Sequence, residues 1–268
     1  PMLRGLPRYA SGKPVDLPRS TYTGARWSRA ETDVTTYYLD LEHRFNDDWT
    51  FKAAAVRMDE TNTSTHQRVQ STRQGVAPDG SGITYADWLT DFHSTKLGLD
   101  MNVVGHFDTG PLAHEITVGG NYSKLTSDDA YWRNFDAGGN IFDIDHDRPE
   151  PSRDSVFEGD LARANRASYD IRQKGLYGAW RVKPTQDLTL VLGSRVSWFD
   201  YSWDSIDFDS LTDPGTRYPT SRMTETGQVT PYAGFIYDLT REWAWYASYT
   251  DVFVPQTERA VGNTPPNP

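Results

Sequence analysis

The chain contains no cysteine, which removes disulfides, thiolate metal sites and cysteine nucleophiles while leaving the compartment open. It also lacks any unbroken apolar run of about 18 residues, so no helix of this sequence spans a membrane. Positive charge is in short supply: 27 Lys and Arg stand against 37 Asp and Glu, a formal net charge of −10. That balance argues against a nucleic-acid partner, which needs a basic face. No glycine-rich phosphate loop precedes a helix, no histidine pair has the spacing of a zinc protease, and no Ser/His/Asp arrangement is legible. The sequence therefore points away from an enzyme. It begins at Pro1 without an initiator Met or a signal-peptide pattern, and it stops in the loop-like Asn263-Thr-Pro-Pro-Asn-Pro268. Both ends read as cuts inside a longer protein.

What is present is aromatic. Phe, Trp and Tyr make up 13% of the chain, with 15 Tyr and 9 Trp, yet hydrophobic residues total only 37% and the mean hydropathy is −0.68. A transmembrane β-barrel reconciles these values. Only alternate residues face lipid, the lumen and loops are polar, and Tyr and Trp form girdles at both interfaces.

The clearest stretch is Tyr169–Trp203, which reads as one long hairpin. Leu176, Gly178, Trp180 and Val182 share one face of its first arm, opposite Gly175, Tyr177, Ala179, Arg181 and Lys183. After the turn Pro184-Thr-Gln-Asp187, the second arm sets Leu188, Leu190, Leu192, Val196 and Trp198 against Thr189, Gly193, Arg195, Ser197 and Tyr201. This is period-2 alternation. The arms run to about 14 residues against a usual strand of about 5–6, whereas a tilted membrane strand needs about 9–11.

The same alternation recurs along the chain. Residues 1–31 are rich in Pro and Gly and read as an ordered loop. Strands are expected at Thr32–Phe45 and Trp49–Glu60, then at His93–Phe107 and Ala113–Leu125. Two more fall in the hairpin, and the last pair at Glu225–Asp238 and Trp243–Val254. A loop of about 30 residues and another of about 40, Thr126–Ser168, intervene; lengths of that kind usually carry function. A short helix is expected at Ser155–Arg166. Connections alternate short and long throughout, as in outer-membrane barrels with short periplasmic turns and long extracellular loops. The expected fold is all-β: an antiparallel transmembrane barrel segment of about eight long strands in four hairpins. Residues 32–254 form the hairpins, and 1–31 and 255–268 belong to extracellular loops. Such a segment would end on the loop side at both termini, so it is expected to be a slice of a wider barrel.

Gly175-Leu-Tyr-Gly-Ala-Trp-Arg181, Leu192-Gly-Ser-Arg-Val-Ser197 and Val229-Thr-Pro-Tyr-Ala-Gly-Phe-Ile-Tyr-Asp-Leu239 lead to Tyr246-Ala-Ser-Tyr-Thr-Asp-Val-Phe-Val-Pro-Gln256. Together they resemble the mid-barrel of TonB-dependent siderophore receptors. Gly5-Leu-Pro-Arg-Tyr9, Asp16-Leu-Pro-Arg-Ser20 and Glu42-His-Arg-Phe-Asn-Asp-Asp-Trp-Thr50 are similar to the ferric-coprogen and ferric-pyoverdine branch. The resemblance implies a barrel of about 22 strands around a plug in the bacterial outer membrane. It also implies import of a ferric siderophore driven by TonB, with the iron complex as transported ligand and no resident cofactor. The TonB box, plug and closing strands of that family have no counterpart among these residues.

A siderophore site needs aromatic walls, hydrogen-bond donors and cations. Tyr131, Trp132 and Arg133 offer all three within the longest loop. Tyr201 and Trp203 lie at the outer end of the sixth strand, and Tyr85 and Trp88 lie in the loop after the second. Asp143, Asp145 and Asp147 begin a calcium-loop pattern that fails at Arg148 and Asp154, and Asp204, Asp207, Asp209 and Asp213 form a second acidic loop. Both read as solvated carboxylates, and no metal site is expected. Lys96, Asp100, Asp40, Arg181, Lys183 and Arg195 are expected to face the lumen. The rival readings are a different outer-membrane barrel without TonB coupling, such as a porin-like channel or a barrel enzyme, and a soluble β-sandwich adhesin. The adhesin would bury Leu97, Leu99, Met101, Val103, Leu188, Leu190 and Leu192 in a dry core.

Overall fold

The computed structural model describes residues 7–72, 74–154, 164–207 and 215–255. Eight strands follow one another as β1 (Arg29–Arg44), β2 (Trp49–Ser71), β3 (Ile83–Thr109) and β4 (Leu112–Ala137), then β5 (Asn165–Lys183), β6 (Leu188–Asp207), β7 (Thr216–Asp238) and β8 (Ala244–Thr250). They form one antiparallel sheet in strict chain order, β1 to β8, the meander expected of a barrel wall. The tight connections are closed by local chemistry. The Asn46 side-chain oxygen accepts from the Asp48 and Trp49 amides at 3.0 and 2.9 Å. Thr185 caps Leu188, and Thr240 caps Glu242 and Trp243. Gly110, at φ 62°, supplies the left-handed residue that the turn between Thr109 and Leu112 requires.

Register shows what each face meets. Rows such as Leu41↔Ala53↔Met101↔Gly120↔Leu176↔Val196↔Val229 run across seven strands, and every member belongs to the apolar face. Within the band, no described residue packs against it. Met101, Val118, Leu176 and Leu192 are exposed, and none of the leucines and valines that a sandwich would bury is buried. The sandwich reading therefore fails, because the sheet is a single layer whose apolar face is open to lipid.

Aromatic residues bound this band. Phe45, Trp49, Phe107, Trp180, Tyr237 and Trp243 cluster toward the turn end, where His114 stacks on Phe107 and Trp180 and accepts from the Trp180 indole at 3.1 Å. Tyr37, Tyr122 and Trp198 mark the far edge. From His114 to Tyr122 is about 26 Å of strand, enough for a tilted crossing.

The opposite face is polar and internally paired. Tyr177 donates to Asp100 at 2.9 Å, Arg195 to Asn121 at 2.9 Å, and Arg181 lies 3.7 Å from Glu115. Gly119 and Gly193 make room for rings on neighbouring strands: a Cβ there would stand 2.6 Å from the Tyr177 ring and 2.2 Å from that of Tyr232.

The strands run well past their expected ends. β2 continues to Ser71, β3 begins at Ile83 and β4 reaches Ala137, so much of the two expected long loops is sheet. β8 is shorter than expected, Ala244–Thr250 in place of Trp243–Val254. The helix expected at Ser155–Arg166 falls mainly outside the described residues, and its last two, Asn165 and Arg166, open β5. Asp209, Asp213 and residues 256–268 also lie outside them. Residues 7–28 and 138–150 fold back on the prolonged strands. Val15, Val69, Val76, Ile83, Tyr85 and Ile141 form a buried cluster there, with Tyr9, Leu17 and Ile144 at its edge. The main packed core thus sits at the loop end of the sheet, beyond the apolar band.

Candidate functional site

At the loop end, alternation sorts the expected site residues by face. Trp88 on β3 and Tyr131 on β4 continue the lumen-side face and stack at 5.6 Å with their planes 17° apart. The Arg68 guanidinium covers Trp88 at 4.1 Å. Arg133 reaches over Trp88, Tyr131 and Phe135 at 6.0, 5.9 and 5.8 Å. Further along the same face Tyr169 and Trp203 lie 6.4 Å apart, and Tyr218 follows at 6.4 Å from Trp203. Tyr201 is two residues before Trp203 on β6 and pairs with Ile171, which places it lower on this face. Trp88, Tyr131, Arg133, Tyr201 and Trp203 are thus brought to one wall.

Two residues depart. Trp132 pairs with Leu89 on the opposite face, because three consecutive residues on a strand cannot share a side. Tyr85 lies on β3 within the buried cluster. Its hydroxyl accepts from the Asp145 amide at 2.9 Å, and Arg148 stands over its ring at 4.6 Å. Tyr85 is committed to packing.

Arg148 organises that packing. It donates to Asp136 at 2.9 Å, approaches Asp87 at 3.8 Å, and its carbonyl accepts from Trp27 at 2.8 Å. Arg26 pairs with Asp147 at 2.7 Å, and Arg29 with Glu150 at 2.6 Å. Asp145 accepts from the Asp147 amide, so the carboxylates of this loop serve as turn caps and ion-pair partners. No group of three His, Asp or Glu suited to a metal occurs among the described residues.

Electrostatics follow burial. Burial pushes the Asp87 carboxyl upward, while Arg148 pulls it back. His66, opposite Trp88 in register, is held below its usual range by burial and then by the Arg68 charge. The Tyr131 hydroxyl is raised, first by burial and then by Asp207. The wall therefore presents the exposed Arg133 beside neutral aromatic rings, with the buried Arg68 packed against Trp88. Sequence reasoning missed Arg68, Tyr169 and Tyr218. For Arg68 the available signal was alternation with His66, obscured because the segment from Thr61 to Ser71 has no apolar period.

A single-layer sheet with a lipid-facing band, a polar lumen side and an aromatic, cationic wall at one end defines an outer-membrane receptor barrel. Residues 4–268 match the family model "TonB dependent receptor-like, beta-barrel", and the chain belongs to that family, one of receptors and not of enzymes. It is 38% identical over 260 residues to the "Ferric-pyoverdine M114 receptor PbuA" of Pseudomonas sp. (strain M114), covering 96% of this chain and 30% of that protein. It is 34% identical to the "Ferric-pyoverdine 358 receptor" of Pseudomonas putida, over 97% of this chain and 30% of the relative. Among solved structures, the pyoverdine outer membrane receptor FpvA from Pseudomonas aeruginosa PAO1 bound to pyoverdine superimposes with a TM-score of 0.70 at 28% identity. That match covers 97% of this chain and 35% of the other. The chain spans about a third of the length of the proteins it matches.

Proposed function

We propose that this chain is part of the wall of a receptor that binds a ferric siderophore of the pyoverdine type and imports it with energy supplied by TonB. In this reading the loop end faces the outside of the cell, with residues 1–28 and 255–268 in extracellular loops and 29–31, expected as loop, opening β1. The polar face lines a lumen that holds the receptor's own plug. The observation that carries the reading is the wall itself: Trp88 and Tyr131 stacked on each other beneath Arg133, with the buried Arg68 against Trp88, and continued by Trp203. Flat aromatic surface and an exposed cation suit an anionic iron chelate with a planar organic arm. The ferric-pyoverdine receptors among the relatives support the same ligand class. Trp132 and Tyr85, on the other side of the sheet, contribute to the wall's support and not to contact.

The test uses the intact receptor. Tyr131→Ala and Trp203→Ala should each weaken ferric-pyoverdine binding about tenfold, the loss of roughly one aromatic contact. Growth on the ferric siderophore should stop in a strain without TonB. Unchanged binding in both variants would overturn the site, and undiminished uptake without TonB would overturn the transport reading.

A further inference from the structure

No hydrogen bond orients the Trp88 ring. Its indole N–H is covered and has no partner among the described residues, so the orientation comes from what packs on its two sides. Register sets Trp88 opposite His66 on β2 and opposite Arg133 on β4. Tyr131 stands one lumen-face position farther from the loop end, opposite Thr90. Arg68 stands one lumen-face position nearer to it, opposite Ala86. The two therefore reach the indole along opposite diagonals, from different strands. Tyr131 lies at 5.6 Å with the planes 17° apart, and the Arg68 guanidinium carbon lies 4.1 Å from the ring centre.

Ala86 shows why a cation can lie so close. It is on the lumen face next to Trp88 in its own strand, and it is 0% exposed. A single methyl group at that point leaves room for the Arg68 side chain to cross from β2 to the ring. Arg68 is only 7% exposed as a result, whereas Arg133 remains exposed. The two arginines beside one tryptophan thus have different access to a ligand: Arg133 faces the lumen, and Arg68 faces the ring.

We infer that Arg68 is a positioning residue for ligand binding: it presses Trp88 toward Tyr131 and holds the two rings as one preformed platform, without touching the ligand itself. A planar guanidinium suits this role because it stacks on an aromatic face, which the compact ammonium of lysine does not. A ring fixed beforehand need not be ordered when the ligand arrives, and the ordering of one side chain on binding is worth about two- to tenfold in affinity. The inference rests on the reading of this wall as the siderophore site.

The test uses the intact receptor labelled with fluorotryptophan. The Trp88 fluorine line is assigned by its disappearance in Trp88→Phe, and ferric-pyoverdine binding is measured on the same samples. Arg68→Met keeps an unbranched stem and loses the charged plane. It should shift and broaden the Trp88 line and weaken binding about fivefold, the effect of one side chain left to be ordered. Arg68→Lys keeps the charge and loses the plane, and should behave as Arg68→Met does. Ala86→Val, which raises the floor beneath Arg68, should move the same line. Arg133→Met should weaken binding and leave the Trp88 line sharp. Full affinity in Arg68→Lys with a loss in Arg68→Met would make Arg68 a charge contact and overturn the proposal, as would an unmoved Trp88 line in either Arg68 variant. Wild-type binding in both Arg68 variants, where Tyr131→Ala weakens it, would overturn the positioning role and leave the site reading standing. Wild-type binding in Tyr131→Ala itself would overturn the site reading and the inference with it.

Discussion

The lower and upper halves of the same strands treat apolar side chains in opposite ways. In the band, Met101 and Val118 are exposed; farther along the same strands and on the same face, Ile83, Leu89 and Val69 are almost completely buried. Register is continuous from one to the other on β2, β3 and β4, so parity does not explain the difference. What changes is the partner. Lipid covers the band and requires no matching side chains, whereas the upper half must bring its own cover from residues 7–28 and 138–150. An apolar face is thus stabilised by membrane in one half and by packed protein in the other, and the two halves should respond differently to the same substitution.

The largest contrast should come from truncation. Leu89→Ala empties a fully buried position and should cost about 2–5 kcal/mol locally. Met101→Ala, where lipid fills the gap, should cost about 0.5 kcal/mol. Hydrogen exchange at the loop end and denaturant unfolding in micelles would read the two. Next in size, Val118→Arg places a charge in the lipid band and should destabilise by about 2–4 kcal/mol, measured by reversible folding into vesicles. A similar loss for Arg at the exposed loop-end residue Phe135 would break the comparison.

Arg148→Ala removes the partner of the buried Asp87 and the cover over Tyr85. A fully buried pair costs about 3–5 kcal/mol to break, but Asp136 is half exposed, so about 2 kcal/mol is expected. The measurement is faster hydrogen exchange across 138–150 and 7–28 without change in the band.

The smallest effect is a pH response confined to the upper half. His66 has a folded pKa below its ordinary value of about 6.5, so the stability contributed by its neutral form is fully present above that pH. It is lost as the pH falls toward the folded value. Exchange protection around Trp88 should decline on acidification below about 6.5 and stay flat in His66→Gln, while the band shows no change in either protein.

These differences also explain what was readable in the chain. The four hairpins and the lipid face were legible because a membrane writes one rule along every strand, as in Leu97, Leu99, Met101 and Val103. The extensions were not, because Thr61–Ser71 and Thr126–Ala137 meet polar groups on one side and loop residues on the other, which leaves no period. Trp88, Tyr131 and Arg133 could be chosen by chemistry, and Trp203 by its place at a strand end. Setting Tyr85 and Trp132 apart from them required knowing that their segments are strands. Arg148 looked like a flaw in a calcium loop, and only the fold shows that it pairs with residues on two strands.

The most direct test of the central comparison is nitroxide accessibility in the intact receptor in bilayers, with one label at position 118 and one at position 83. The account predicts that a label at 118 is readily relaxed by oxygen and shielded from a water-soluble nickel reagent, while one at 83 is shielded from both. A label at 118 as inaccessible to oxygen as that at 83, or one at 83 as oxygen-exposed as that at 118, would contradict it.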